Sequence, residues 1–157
     1  MKAAIATLRA AEPRDMQSIR ELLQGSGLPT EDLARARPEF VVACEGQRIV
    51  GVGALERFGA AGLLRSIAVA PDRRGAGIGP MIVEYLEERA RTDGLSELVL
   101  LTQTAKGFFE WQGYRIIERS HAPASVQDSE EFRSLCPSSA FCMSKPVTLP
   151  SGAKKNT

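Results

Sequence analysis

The sequence predicts a mixed α/β fold in a single domain, with a central, mostly antiparallel sheet of about six to seven strands flanked by about four helices. Three observations carry this expectation. The stretches "EFVVACEGQRIVGVGALERFG" and "GLLRSIAVAPD" read as three successive β-rich runs, with a turn at "EGQR". Directly after them, "PMIVEYLEERARTDG" switches to helical spacing. The short apolar run "ELVLL" then has the composition of a strand buried on both faces.

In chain order, "IATLRAA" is the first strand. "EPRDMQSIRELLQGSG" is a helix with Met16, Ile19, Leu22 and Leu23 on its inner face, Pro13 in its first turn and Gly25 as its cap. "LPTEDLARARP" gives a turn and a short second helix, with Thr30 as N-cap, Glu31 and Asp32 in the first turn, and Pro38 as terminator. The meander follows. The next helix opens with Pro80 at its first position, aligns Ile82, Leu86 and Ala90, and stops at Gly94. After "ELVLL" come a short helix with an aromatic inner face, "TAKGFFEWQG", and two strands, "YRIIERS" and "SAFCMSKPV". The domain is expected to span 1–147, with 148–157 a disordered polar tail.

A chain of 157 residues, 43% hydrophobic and 25% charged, can bury a core without external staples. Twenty basic and nineteen acidic side chains leave a formal charge of +1, so no general field attracts nucleic acid or an anionic membrane. Any anion site must be local. No apolar stretch suits a signal peptide or a bilayer span, which points to a cytoplasmic protein without a membrane partner. Cys44, Cys136 and Cys142 are odd in number, as fits a reducing compartment, and the single histidine argues against a metal site.

The junction "VAPDRRGAGIGP" places Gly75, Gly77 and Gly79 between a strand and a helix. A helix start leaves backbone N–H groups unpaired and carries partial positive charge, so it can receive phosphate, and glycines let the ligand approach the backbone. Arg74, Gly77 and Gly79 fit R-x-x-G-x-G, and Arg73 adds a second charge. A plain turn is the competing reading. The sequence lacks the G-K-[ST] of a nucleotide P-loop and the early strand of a dinucleotide fingerprint.

"LLRSIAVAPDRRGAGIG", its amphipathic helix, the apolar strand and "AKGFFEWQGY" together resemble the GNAT superfamily of acyl-CoA-dependent N-acetyltransferases, over about residues 3–147. The words "GLPTEDL", "TAKGFFEWQGY" and "FRSLCPSSAFCMSK" are similar to the small acetyltransferases of arsenic-resistance operons. The resemblance implies a GNAT fold and acetyl-CoA as cosubstrate. It also implies a small amino-acid-like amine as acceptor, which an arsenic-bearing molecule could be, and leaves a homodimer open. By the same resemblance, the loop Arg74, Gly75, Ala76, Gly77, Ile78, Gly79 and Pro80 holds the diphosphate, and the strand backbone at Ile67, Ala68 and Val69 pairs with the pantetheine arm.

Phe109 stands where many members carry a tyrosine that protonates the leaving thiolate, and Thr102 where many carry an asparagine that contacts the coenzyme. Both are expected coenzyme contacts. Water or a hydroxyl, Thr102 or Thr104, is the substitute acid, since a thiol of ordinary pKa leaves with modest help. Many members carry a glutamate early in the strand before the loop; this strand has none, and Glu56, at the end of the preceding strand, is the candidate base, directly or through water, against the plainer reading of a solvated strand end. Arg65 shares parity with Ile67 and Val69 and could hold a substrate carboxylate bidentately, the alternative being an ion pair with Glu56 or Asp72. Ser66, Leu28 and His121 are further substrate-side candidates.

The long segment "HAPASVQDSEEFRSLCPSSAFC" reads either as a substrate lid lined by His121, Ser125, Ser134 and Ser138 or as a helix closing the sheet edge. Cys136 and Cys142 could bind trivalent arsenic, against the plainer reading of a buried core thiol at Cys142. At least two of Phe108, Phe109 and Trp111 are expected in the core. A binding protein that keeps the fold as an acyl-CoA sensor is the alternative to an enzyme.

Overall fold

The computed structural model describes residues 5–135 and 138–147; the expectations for Cys136 and for the tail 148–157 lie outside them. The described strands are β1 (Thr7–Ala10), β2 (Glu39–Glu45), β3 (Arg48–Phe58), β4 (Ala61–Val69), β5 (Glu97–Thr102), β6 (Arg115–Ile117) and β7 (Phe141–Pro146). They form a seven-stranded sheet in the order β1-β2-β3-β4-β5-β7-β6. β2 is antiparallel to β1 and β3, β4 is parallel to β5, and β7 is antiparallel to both β5 and β6. The helices are α1 (Met16–Gly25), α2 (Leu33–Ala36), α3 (Ile78–Thr92), α4 (Lys106–Trp111) and α5 (Ala124–Gln127). The expected mixed sheet with flanking helices is therefore present. Among the described residues, no helix is long and apolar enough to cross a membrane.

The chain divides into two compact units, Met1–Glu56 with Leu64–Leu86, and Arg57–Leu63 with Glu87–Thr157. In the first, Ile19 and Leu23 of α1 and Leu33 of α2 pack with Val42, Cys44, Val52 and Ala68. The i, i+4 spacing of Ile19 and Leu23 puts both on the face that the helix buries. A 3-10 turn, Pro13–Asp15, leads into α1, and the Asp15 carboxylate receives the Glu12 amide at 2.7 Å and the Arg9 guanidinium at 2.7 and 3.1 Å. The Arg9 hydrogen bonds lower the Asp15 carboxyl to about 2.

Several boundaries differ from the sequence expectation. The left-handed residue that ends α1 is Gly27 (φ 72°), with the Leu28 amide closing onto Leu23 O at 2.9 Å, so Gly25 is the last helical residue rather than the cap. α2 starts at Leu33, and Asp32 rather than Thr30 occupies its N-terminal boundary, where its carboxylate makes no cap bond because it is engaged by Arg65. α3 starts at Ile78, which makes Pro80 its third residue. A proline is tolerated there because first-turn amides have no intrahelical acceptor.

In the second unit, Ala61, Leu63, Val99 and Cys142 pack with Ala122, Val126 and Phe132. Thus the segment between β6 and β7 contributes core residues through a 3-10 turn, Arg119–His121, α5 and a π-helical turn, Glu131–Leu135. It is a packed closure of the sheet, not the lid that was one of two expectations. Ser125 bonds the Phe58 carbonyl at 3.3 Å, Ser138 is exposed, and the Ser134 side chain lies outside the described residues.

Candidate functional site

The site begins with two glycines in β3. A Cβ on Gly51 would stand 2.8 Å from Ile78 Cγ2, and one on Gly53 would stand 2.4 Å from Ile82 Cγ2 and 3.1 Å from Leu86 Cδ1. Side-chain-free backbone at these positions lets α3 lie directly on β3, so the first turn of the helix has a fixed place.

The loop that feeds this helix is anchored at its start and open at its end. Ala70 N donates to Val50 O at 2.8 Å, and Arg73 N to Ala70 O at 2.9 Å, forming the 3-10 turn Pro71–Arg73. Arg48 grips Asp72 with two bonds of 2.7 and 2.9 Å and holds its carboxyl below the usual range. Arg73 Nε lies 2.7 and 2.9 Å from the two Glu45 oxygens, so part of the charge expected to face an anion is met within the protein. Arg74 is exposed, with Nε 3.3 Å from Val69 O. Gly75 (φ 82°) and Gly77 (φ 84°) then adopt left-handed backbone that few side chains tolerate. Nothing lies within 4 Å of where a Cβ would sit on either. Arg74 through Gly77 are exposed, Ile78 is buried, and Gly79 and Pro80 are half-buried as the helix starts.

Upstream of the loop, β4 pairs with β5 over Ala61–Leu63 against Glu97–Val99 and itself continues to Val69. Ser66 has φ 59°, a left-handed conformation within a strand. That break defeats simple alternation: Arg65 and Ser66 are both buried, whereas Ile67 and Val69 are half-buried with Ala68 buried between them.

The Arg65 side chain is fully buried. Its Nη2 donates to Asp32 Oδ1 at 2.7 Å, and Nη1 donates to Asp32 Oδ2 and, at 3.2 Å, to Glu56 Oε1. Its Nε stands 3.3 Å from Ser66 Oγ. The bidentate carboxylate expected from a substrate is therefore the protein's own Asp32, which corrects the reading of Arg65 as a direct substrate receptor. The alternative partner Glu56 is present, and Asp72 is paired with Arg48 instead. Glu56 keeps 13% of its side chain exposed.

The remaining candidates each have contacts of their own. Leu28 packs half-buried against the α1 core. In the second unit, Thr102 Oγ1 accepts the Ala105 amide at 3.0 Å, capping the turn before α4. Phe109 is buried edge-to-face with Phe108 and Tyr114, at centroid distances of 4.9 and 5.7 Å, while Trp111 is 84% exposed. His121 is exposed, with Nε2 3.9 Å from Glu118. Cys142 is buried, and desolvation pushes its thiol up to about 11, so little thiolate exists near neutrality. Among the described residues, no group of three or more His, Cys, Asp or Glu side chains is arranged to hold a metal.

Sequence reasoning missed Asp32, Gly51 and Gly53. "GVG" inside a β-rich run was a readable sign of close backbone approach. For Asp32 there was no local sign, since its partner is far along the chain.

A family model described as "Acetyltransferase (GNAT) domain" matches residues 36–116. The Bacillus subtilis protein YjcF, named an uncharacterized N-acetyltransferase, is 32% identical over 123 residues, covering 74% of this chain and 87% of that protein. The amino-acid acetyltransferase of Ralstonia nicotianae is 30% identical over 135 residues, 80% of this chain, which spans only 28% of that longer protein. A Mycobacterium tuberculosis protein solved in complex with CoA and NLQ superposes with a TM-score of 0.75 at 29% identity, covering 89% of this chain and 98% of that one.

Proposed function

The chain belongs to the GNAT acetyltransferase family, and on that premise we propose that it transfers the acetyl group of acetyl-CoA to the amine of a small, amino-acid-like acceptor. The observation that carries this reading is the exposed backbone of Gly75–Gly77 at the start of α3, with open space over both glycines. That cradle suits a diphosphate: first-turn amides have no intrahelical acceptor, the helix contributes partial positive charge, and nothing stands over the two glycines to bar a ligand oxygen from the backbone. Arg74 through Pro80 would hold the diphosphate, with the exposed Arg74 as the charged side chain nearest to it. The β4 backbone at Ile67, Ala68 and Val69 would align the pantetheine arm.

Bound acetyl-CoA supplies an activated acyl group and a thiol leaving group. On the protein side, Glu56, with part of its side chain exposed, takes the proton that the acceptor ammonium must lose, directly or through a water. Ser66 stands beside Arg65 at the bend of β4, on the acceptor side in this reading. No phenol is present at Phe109 to return a proton to the thiolate. A water takes that role; Thr102, in the second unit, keeps its own O–H for donation although its oxygen accepts from Ala105.

An amino-acid-like acceptor is supported by the relationship to the Ralstonia amino-acid acetyltransferase. The narrower reading, an arsenical amino acid, rests on the sequence words alone. Release of free CoA thiol with a panel of amino acids, an arsenical amino acid included, tests both. Turnover with an amino acid supports the enzyme. Coenzyme binding without turnover on any amine would replace it with an acyl-CoA sensor, the reading that Phe109 favours.

A further inference from the structure

Arg65 is a cation with no exposed side-chain surface, yet it lies on the strand assigned to the coenzyme. A buried guanidinium is costly unless its donors are matched by acceptors of suitable geometry. Here they are matched in a particular way. Asp32, itself 1% exposed, takes both outer nitrogens in a fork, and Nη1 also reaches Glu56 while Nε reaches Ser66 Oγ. Asp32 lies at the start of α2, Glu56 in β3, and Arg65 and Ser66 in β4. One planar group thus ties three elements of the first unit together at the point where β4 bends. A lysine could not do this, since a single ammonium lacks the rigid fork that serves two carboxylates in fixed directions.

We infer that Arg65 is a positioning residue for the transfer reaction: clamped by Asp32, it fixes the Glu56 carboxylate and the backbone at Ser66, and so acts on catalysis without touching either substrate. The inference rests on Glu56 as the proton acceptor proposed above. It assigns Asp32 a part in turnover that neither charge pattern nor helix capping gives it. It also explains why Ser66 keeps a strained backbone. Arg65 Nε meets its hydroxyl from the neighbouring position, and the bend is held on one side by that contact.

The test is a double-mutant cycle of Glu56→Gln and Arg65→Lys, read by thiol release at saturating acetyl-CoA, with acetyl-CoA affinity measured by calorimetry on every variant. Arg65→Lys is expected to lower kcat by about 10- to 100-fold, the scale produced by misplacing a reacting group by about 1 Å. Acetyl-CoA affinity is expected to stay within about twofold. Added to Glu56→Gln, it is expected to cost little more, because both changes remove the same function. If Glu56→Gln impairs turnover but Arg65→Lys multiplies that loss independently, the positioning role is wrong and the base survives. If Glu56→Gln leaves turnover intact, the base assignment and the inference both fall. Should Arg65→Lys not fold, Asp32→Asn serves in the same cycle, since it keeps size and one acceptor while loosening the fork. Full additivity with Glu56→Gln would again overturn the inference.

Discussion

Two buried ionic clusters can be set side by side. In the first unit, Asp32, Glu56 and Ser66 share the Arg65 guanidinium, with a left-handed residue in the strand and a glutamate whose side chain remains partly exposed. In the second, Glu87, 4% exposed, accepts the Tyr114 hydroxyl at 2.9 Å and Lys145 Nζ at 3.1 and 3.2 Å, while Lys145 also donates to Gln112 O at 2.8 Å. Burial raises the Tyr114 phenol, with the Glu87 charge adding to it, so Tyr114 stays protonated and donates. The second cluster fastens the end of α3 to the turn after α4 and to β7. Both clusters are buried and charged. Buried charge alone therefore does not mark chemistry; backbone strain and a partly exposed glutamate side chain distinguish the cluster to which we assign it.

The contrast can be broken most forcefully at Glu87. Glu87→Ala leaves Lys145 and Tyr114 without their carboxylate and is expected to cost about 3 kcal/mol by urea denaturation, with turnover per folded molecule unchanged. A fall in kcat per folded molecule would erase the distinction. Ser66→Val forces a β-branched residue into left-handed backbone, at an expected cost of about 2 kcal/mol, and turnover should fall with it. Ser66→Gly, which accepts that backbone, should remain within about 1 kcal/mol of the parent in the same measurement. Tyr114→Phe removes one hydrogen bond and should cost about 1 kcal/mol with no kinetic effect.

The smallest effect concerns a third pair, Arg9 with Asp15, where the Arg9 guanidinium is 37% exposed along its side chain. Because the folded Asp15 carboxyl is lowered to about 2 from 3.8, its contribution is complete above the unfolded value and is lost as pH falls through the folded one. Urea midpoints measured from pH 5 to pH 2 should therefore fall more steeply in the parent than in Asp15→Asn. Parallel curves would remove the pair from the account of stability.

Much of the fold was legible because periodicity is local: the β2–β4 meander, the helical stripe of α3 and the apolar β5 follow from neighbouring residues. The place of β7 between β5 and β6 was not, since chain order does not state which edge a late strand enters. The closure of the sheet by Ala122, Val126 and Phe132 was legible only as one of two readings, because a polar, proline-punctuated surface conceals three well-spaced apolar residues. Of the candidate site, the exposed glycine turn before α3 could be read directly. The partner of Arg65 could not, because Asp32 lies 33 positions away and the turn at Ser66 breaks the alternation on which strand parity relies. The cap that Thr102 makes on Ala105 was not legible, because it depends on a turn geometry that composition does not specify.

The account depends most on the loop amides gripping a diphosphate, and calorimetry tests this by comparing acetyl-CoA with S-acetylpantetheine, which lacks that group. The parent should bind acetyl-CoA far more tightly than S-acetylpantetheine, and Gly77→Val, forced into left-handed backbone that valine resists, should lose that preference at a stability cost on the scale of Ser66→Val, with affinity read well below its melting temperature. Equal affinity of the parent for both ligands, or an undiminished preference in Gly77→Val, would contradict the account.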